Sequence, residues 1–243
     1  MPGATPDPAE VNRLLLASET PPAAWIPAIT ELDLERTSIT DLRPLAVLTS
    51  LRHLVLSRTY VTDIAPLAAL TQLQRLELNR SRIDDVAAVA GLARLQRLHL
   101  AFTAVSDLRP LACLTELEGC FLTGTLVTDI TPLAGLTRLE RLDLGDTRIS
   151  DAAPLAALTK LRSLELSGTQ IADTAPLAAM TRLQYLDLSN TPVRDLAPLA
   201  VSTDLQRLDL RGNQPADLSV LAHLTHCQII TAPLLPRRRR QTM

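Results

Sequence analysis

The chain repeats itself. A unit of 22 residues recurs nine times, without insertion or deletion, from Ile29 to His226, and two of its purest copies read LRHLVLSRTYVTDIAPLAALTQ (51–72) and LERLDLGDTRISDAAPLAALTK (139–160). Apolar residues return at positions 1, 4, 6, 11, 14, 17 and 20 of each copy. A unit this short cannot enclose a core of its own, so it must bury its apolar rows against the copies on either side. Each position of the unit then becomes a column running the length of a stack.

Two periodicities place the unit in space. Positions 3 to 7 alternate, so that Leu54 and Leu56 point inward while His53, Val55 and Ser57 point outward, which predicts a short strand. Nine such strands and a tenth in CQIITA (227–232), stacked in parallel at about 4.8 Å, give a curved sheet on the order of 40 Å long. The second half of the unit carries an Asp at position 13 in every copy (Asp41, Asp63, Asp85, Asp107, Asp129, Asp151, Asp173, Asp195 and Asp217), mostly followed by Pro at position 16. A calcium ladder would need a glycine-rich nonapeptide that this unit lacks. The Asp is read instead as the cap of a short helical or 3-10 turn whose early positions tolerate Pro. The hydroxyl or amide at position 9 (Thr37, Thr59, Ser81, Thr103, Thr125, Thr147, Thr169, Thr191 and Asn213) is read as a turn residue bonding the backbone, not as a row of nucleophiles.

The pattern LxxLxLxxTxIxDLxPLAxLTx resembles the leucine-rich repeat, in the short 22-residue class of the bacterial internalins and the phosphatase-regulatory leucine-rich repeat proteins. The Asp at position 13 and the Pro-Leu at positions 16 and 17 favour the internalin-like variant. The resemblance implies an α/β fold: a right-handed solenoid with parallel strands on its concave face and short helical or 3-10 turns on its convex face. It implies a function only as broad as binding another molecule, usually a protein. The chain is expected to differ from the internalins in having no export signal, wall anchor or second domain, so adhesion at a cell surface is not implied.

An open solenoid exposes a raw section of core at each end. Residues 1–28 are expected to form an N-terminal cap, with a helix in DPAEVNRLLLAS (7–18) and Trp25 laid over the first of the repeats, which fill 29–226. Residues 227–243 make a terminal half-repeat and basic tail. That end is weaker: Pro215 stands where Ile or Val belongs, Leu234 and Leu235 are the residues expected to cover it, and dimerisation there or a missing downstream domain are the alternatives. Arg237 to Arg240 read as a solvated tail, with nucleic-acid binding as the sharper alternative.

Composition excludes several classes. Charge is close to balance at −2, which gives no bulk field toward nucleic acid or membrane, and no apolar stretch approaches the roughly 20 residues that span a bilayer. The start MPGATPDPAE is wrong for a signal peptide, so a cytoplasmic location is expected unless a signal-independent route exports the protein. Cys113, Cys120 and Cys227 read as small buried hydrophobes rather than a disulfide or zinc framework. His223, His226 and Cys227 lie close in sequence, but Cys227 belongs to an inward row, which argues against a metal site. No nucleophile elbow, P-loop, dinucleotide fingerprint or HExxH motif occurs, so neither catalysis nor a cofactor or small-molecule substrate is expected.

Function must therefore lie in the columns that do not repeat. Position 5 runs Asp33, Val55, Glu77, His99, Phe121, Asp143, Glu165, Asp187, Asp209, and position 3 includes Arg141, Tyr185 and Arg207. Position 8 begins Arg36, Arg58, Arg80, Phe102. The outward face is thus zoned into a basic edge, an aromatic middle and an acidic C-terminal half. The chain's two Phe residues, Phe102 and Phe121, fall in adjacent copies beside His99, where they suit a binding hot spot, although Phe121 has the simpler task of covering Gly119. In the acidic zone Arg141 and Arg207 are expected to relieve Asp143 and Asp209, leaving Glu165 and Asp187 uncompensated and suited to a basic partner. The candidate binding residues are therefore His99, Phe102, Phe121, Asp143, Glu165, Tyr185, Asp187, Asp209, Arg36, Arg58 and Arg80. The expected function is a monomeric, non-catalytic protein-binding module, a cytosolic adaptor or secreted effector. Its alternatives are an inhibitor that wraps one enzyme and a fragment supporting a catalytic domain on another chain.

Overall fold

In the computed structural model, residues 6–231 are described. They form one helix, α1 (Pro8–Leu16), and ten three-residue strands from β1 (Glu31–Asp33) to β10 (Gln228–Ile230), joined in sequence order into one parallel sheet. The register repeats the unit: position 3 lies opposite position 3, and so on from Glu31↔His53 through Tyr185↔Arg207. Every return segment contains a 3-10 turn, such as Ala65–Ala69 or Ala153–Ala157, and among the described residues α1 is the single α-helix.

The core is a set of parallel leucine rows. Leu54, Leu76, Leu98, Leu142 and Leu164 of position 4 are essentially inaccessible, and so are their counterparts at positions 6, 17 and 20 in most copies. Burying one such side chain contributes about 1.5–3 kcal/mol. The polar residues of the unit do smaller, local work. All nine Asp at position 13 accept the N–H two residues on, at the head of the 3-10 turn, as in Arg43 N–H to Asp41 at 3.0 Å and Ala153 N–H to Asp151 at 2.8 Å. The hydroxyl at position 9 donates to the carbonyl three residues back in every copy that has one, as in Thr125 to Leu122 at 2.7 Å. Asn213 departs from this: its side-chain amide reaches back one copy, to the Leu188 carbonyl and the Thr191 hydroxyl. A turn cap of this kind is worth about 1 kcal/mol, so the rows make the stack and the caps shape it.

The regular strand is shorter than the alternation suggested, covering positions 3 to 5 rather than 3 to 7. The backbone does not stop bonding there. The position 6 N–H donates to the position 5 carbonyl of the next copy, as in Leu56 to Glu77 at 2.7 Å, and the position 8 N–H donates to its position 7 carbonyl, as in Arg58 to Asn79 at 2.7 Å. What ends the strand is a left-handed residue at position 8 in every copy: Arg36, Arg58, Arg80, Phe102, Gly124, Asp146, Gly168, Asn190 and Gly212, with φ between 53° and 80°. That conformation costs roughly 1–2 kcal/mol for a side chain other than Gly, Asn or Asp.

The two ends differ. At the N-terminus Asp7 caps α1 by accepting the Ala9 N–H at 3.0 Å, Val11 and Leu15 are buried on the first copy, and Trp25 packs partly buried against the same core. Asn12 donates its amide to the Asp33 carbonyl on the open edge of β1 at 3.1 Å. At the C-terminus Leu218 is 41% exposed and β10 is only half-buried. Leu234, Leu235 and Arg237 to Arg240 lie outside the described residues. Of the three cysteines, Cys120 is buried and its thiol is pushed up to about 12 by that burial, while Cys227 is half-buried. Cys113 is exposed, contrary to the buried role expected of it, because position 19 lies on the outer side of the 3-10 turn.

Removing residues 1–28 strips Val11, Leu15 and Trp25 from the first copy and is expected to cause aggregation, read by size-exclusion chromatography. A truncated chain that stays monomeric with an unchanged melting temperature would reject the capping role.

Candidate interaction surface

The outward columns stand in register, so neighbouring copies present their side chains directly beside one another. In the middle of the sheet His99 and Phe121 stack with ring centroids 4.2 Å apart and planes inclined by 16°. Burial, with the nearby Arg75, Arg97 and Arg141 cations adding to it against Glu77, holds the His99 imidazolium below its usual pKa, so the stack presents a neutral ring near pH 7. The Phe121 ring also lies over Gly119, where an added Cβ would come within 3.1 Å of it. Both readings of Phe121 therefore rest on real contacts: it covers the glycine, and its half-exposed ring is part of a flat aromatic surface.

Phe102 is not part of that stack. It stands on the edge of the sheet at position 8, its ring over Gly124, with the Arg80 guanidinium 4.4 Å from its centroid. Arg36 and Arg58 precede it on the same edge and share one carboxylate, Glu35, at 3.3 and 3.8 Å. Beside them Arg82 lies over Tyr60 at 4.7 Å, and Tyr60 is 55% exposed. Tyr60 and Arg82 were not singled out from the sequence. Both sit at position 10, and the signal available was that position 10 changes residue type from copy to copy as freely as positions 3, 5 and 8 do.

Asp143, Glu165, Asp187 and Asp209 form an unbroken row of carboxylates, each directly opposite the next. The expected relief holds only in part: the Arg207 charge helps to lower the Asp209 carboxyl, but among the described residues neither Arg141 nor Arg207 forms an ion pair with Asp143 or Asp209, and the row is held chiefly by backbone N–H groups and Arg211. Asp143 accepts the Gly145 N–H at 2.9 Å, Asp187 the Ser189 N–H at 2.7 Å and Asp209 the Arg211 N–H at 3.1 Å. Asp209 is buried and is gripped by the Arg211 guanidinium at 2.6 Å. Burial works to raise its pKa, and the Arg211 bonds outweigh that and hold it below the usual carboxylate range. An Asp carboxylate on position 5 reaches the N–H two residues on, whereas Arg207 points across the face toward the Tyr185 ring, 5.9 Å away. Glu165 is one methylene longer and has no such bond. Its own burial, then Asp143 and Asp187 on either side, push it up to about 7. The Tyr185 phenol is likewise pushed up to about 12, by burial and then by Asp187 and Glu165. Beside this row runs an open groove of about 550 Å³ lined in part by Arg141, Ser163, Tyr185 and Arg207.

Among the described residues no group of His, Cys, Asp and Glu is placed to hold a metal ion, and no helix is long and apolar enough to cross a membrane. The family model for leucine-rich repeats in two copies matches residues 137–179 and 181–223. An internalin F from Listeria monocytogenes superposes with a TM-score of 0.86 at 31% identity, covering 92% of this chain and 67% of that one. An internalin C2 from the same organism gives 0.76 at 30% identity, over 86% of this chain and 99% of that one. This chain belongs to the internalin-like leucine-rich repeat family. A leucine-rich repeat protein from Leptospira interrogans, at 22% identity and a TM-score of 0.79, shares the fold. No curated protein matches the sequence. Leucine-rich repeat domains of this kind are in general protein-interaction modules, and the internalin-like scaffold here carries its variable residues on the strand face and its flank.

Glu165 makes a testable electrostatic prediction. Its pKa in the folded chain, about 7, lies above the ordinary 4.5, so the native state holds a proton that the unfolded state has released. That contribution to stability is complete below about 4.5 and is lost as pH rises through about 7. Glu165→Gln is expected to flatten the fall in the urea midpoint across this window and to leave the variant the more stable of the two at pH 8. Parallel pH profiles for variant and wild type would contradict the assignment.

Proposed function

We propose that this protein is a non-catalytic binding module that holds a protein partner on its concave face, acting as a cytosolic adaptor or a secreted effector. The observation that carries the reading is the stacked His99–Phe121 pair, a half-exposed flat aromatic surface near the middle of an otherwise polar sheet. Interface energy concentrates in a few central aromatic anchors, while charges around them chiefly set the rate of encounter. Glu165 lies two strands beyond Phe121 on the same column and, with a pKa raised to about 7, gains most from a cationic group brought beside it, which favours a partner with a basic patch. The protein acts as a monomer in this reading, with contact through the half-covered C-terminal end as the alternative.

The zoned charges favour a second reading, an inhibitor that wraps one enzyme and uses them to steer association. The two separate on the captured partner: an adaptor leaves its activity unchanged, and an inhibitor abolishes it at stoichiometric addition.

Affinity capture with the wild type, followed by kinetic binding measurements, tests the face. Phe121→Ala is expected to weaken binding by more than about 1 kcal/mol, chiefly through faster dissociation, whereas Phe102→Ala, on the flank of the sheet, is expected to leave it unchanged. Glu165→Lys is expected to slow association and flatten its salt dependence. Substitution of Asp187 is a poor probe of charge, since its carboxylate caps the Ser189 N–H. Unchanged dissociation in Phe121→Ala, with binding abolished by Arg43→Glu or Arg109→Glu on the convex side, would place the partner on the other face.

A further inference from the structure

Position 8 divides the stack into two halves. In copies five to nine it holds Gly124, Asp146, Gly168, Asn190 and Gly212, residue types that enter the left-handed region readily. In copies one to four it holds Arg36, Arg58, Arg80 and Phe102 at φ of 57° to 60°, where a longer side chain is disfavoured. The backbone makes the same bond in both halves, from the position 8 N–H to the next copy's position 7 carbonyl. The turn therefore gives no reason for these four residues, and their side chains are kept against the preference of the backbone they sit on.

Their charge is unbalanced as well. Glu35 is the one carboxylate within ion-pair distance of Arg36 and Arg58, whose side chains are 66% and 48% exposed, and among the described residues Arg80 and Arg82 have none. Stacking on Phe102 and Tyr60 holds the guanidinium planes of Arg80 and Arg82 and leaves their N–H edges free for a carboxylate. Between this row and the sheet runs a groove of about 270 Å³, lined by Glu35, Ser57, Arg58, Glu77, Arg80 and Phe102 among others, with the Glu77 carboxylate already paired with Arg75 at 2.6 Å.

We propose that the Arg36–Arg58–Arg80–Phe102 edge docks a short acidic segment of a partner polypeptide, its carboxylates on the guanidinium row and an apolar residue against the 47%-exposed Phe102 ring. This is a second surface, on the flank of the sheet, and it stands apart from the concave-face reading. At about 4.8 Å per copy the three arginines span about 10 Å, which an extended peptide covers in three residues at about 3.3 Å each. A polyanion such as a nucleic-acid strand would run on past Gly124 toward Asp146 on the same edge, with Asp143 and Glu165 on the adjoining face, and be repelled.

The test is fluorescence anisotropy on the full chain with a fluorescein-labelled peptide EEAEEAEF, its Gln counterpart QQAQQAQF, and a twelve-nucleotide oligothymidylate. The acidic peptide is expected to bind and to weaken steeply between about 50 and 200 mM salt. The triple variant Arg36→Gly, Arg58→Gly, Arg80→Gly is expected to lose about tenfold or more in affinity while melting at the same or a higher temperature, since glycine suits the turn. Phe121→Ala, which probes the concave face, is expected to leave peptide binding unchanged. The proposal is overturned if the acidic peptide does not bind, if the Gln peptide binds as well, if the oligonucleotide binds more tightly, or if the triple variant keeps its affinity. A lower melting temperature in the triple variant would also overturn it, by making the arginines structural.

Discussion

The stack depends on a backbone ladder and a set of leucine rows that no single copy completes. Leu56 is inaccessible because copies on both sides cover it, and its N–H is satisfied because Glu77 of the next copy accepts it. Cooperation between neighbours is thus the source of stability, and a missing neighbour is felt at once. That is why the first copy needs α1 and the amide of Asn12, and why the last copy, with Pro215 in place of Ile or Val and Leu218 exposed, is the least complete.

Because the register never slips, a substitution at an outward position changes one point on a column and leaves the buried rows in place. The scaffold can therefore vary at positions 3, 5 and 10 without altering its own rows, while position 8 is held to the left-handed region in every copy. Its surface is not equally free everywhere. Read as a column, Asp143, Asp187 and Asp209 belong to a charged face, yet each also caps its own turn, so the acidic zone is partly architecture. Glu165 is the member of that row with no backbone bond, and the basic edge is the region whose residues sit worst on their backbone.

The architecture was legible because it rests on period and polarity: the strand columns, the Asp caps and the hydroxyl turn bonds all follow from residue type at a fixed position. The candidate surface was legible only as zones. Sequence cannot say that Phe102 stacks under Arg80 and not beside Phe121, since both Phe residues read simply as outward. The pairing of Asp209 with Arg211 in place of Arg207 turns on a two-residue reach that alternation alone does not encode. The left-handed column was written in Gly124, Gly168 and Gly212 at one position, and it shows its meaning only when the arginines of the earlier copies are set in the same column.

Native-state hydrogen exchange, read amide by amide, tests most directly whether the ladder orders that edge as well as the sheet. The Arg58, Arg80 and Phe102 amides donate to Asn79, Ala101 and Thr123, and should exchange as slowly as those of Leu56, Leu78 and Leu100, two residues earlier on the same ladder. Exchange at position 8 as fast as in an open loop, with the Leu56, Leu78 and Leu100 amides still protected, would contradict the account.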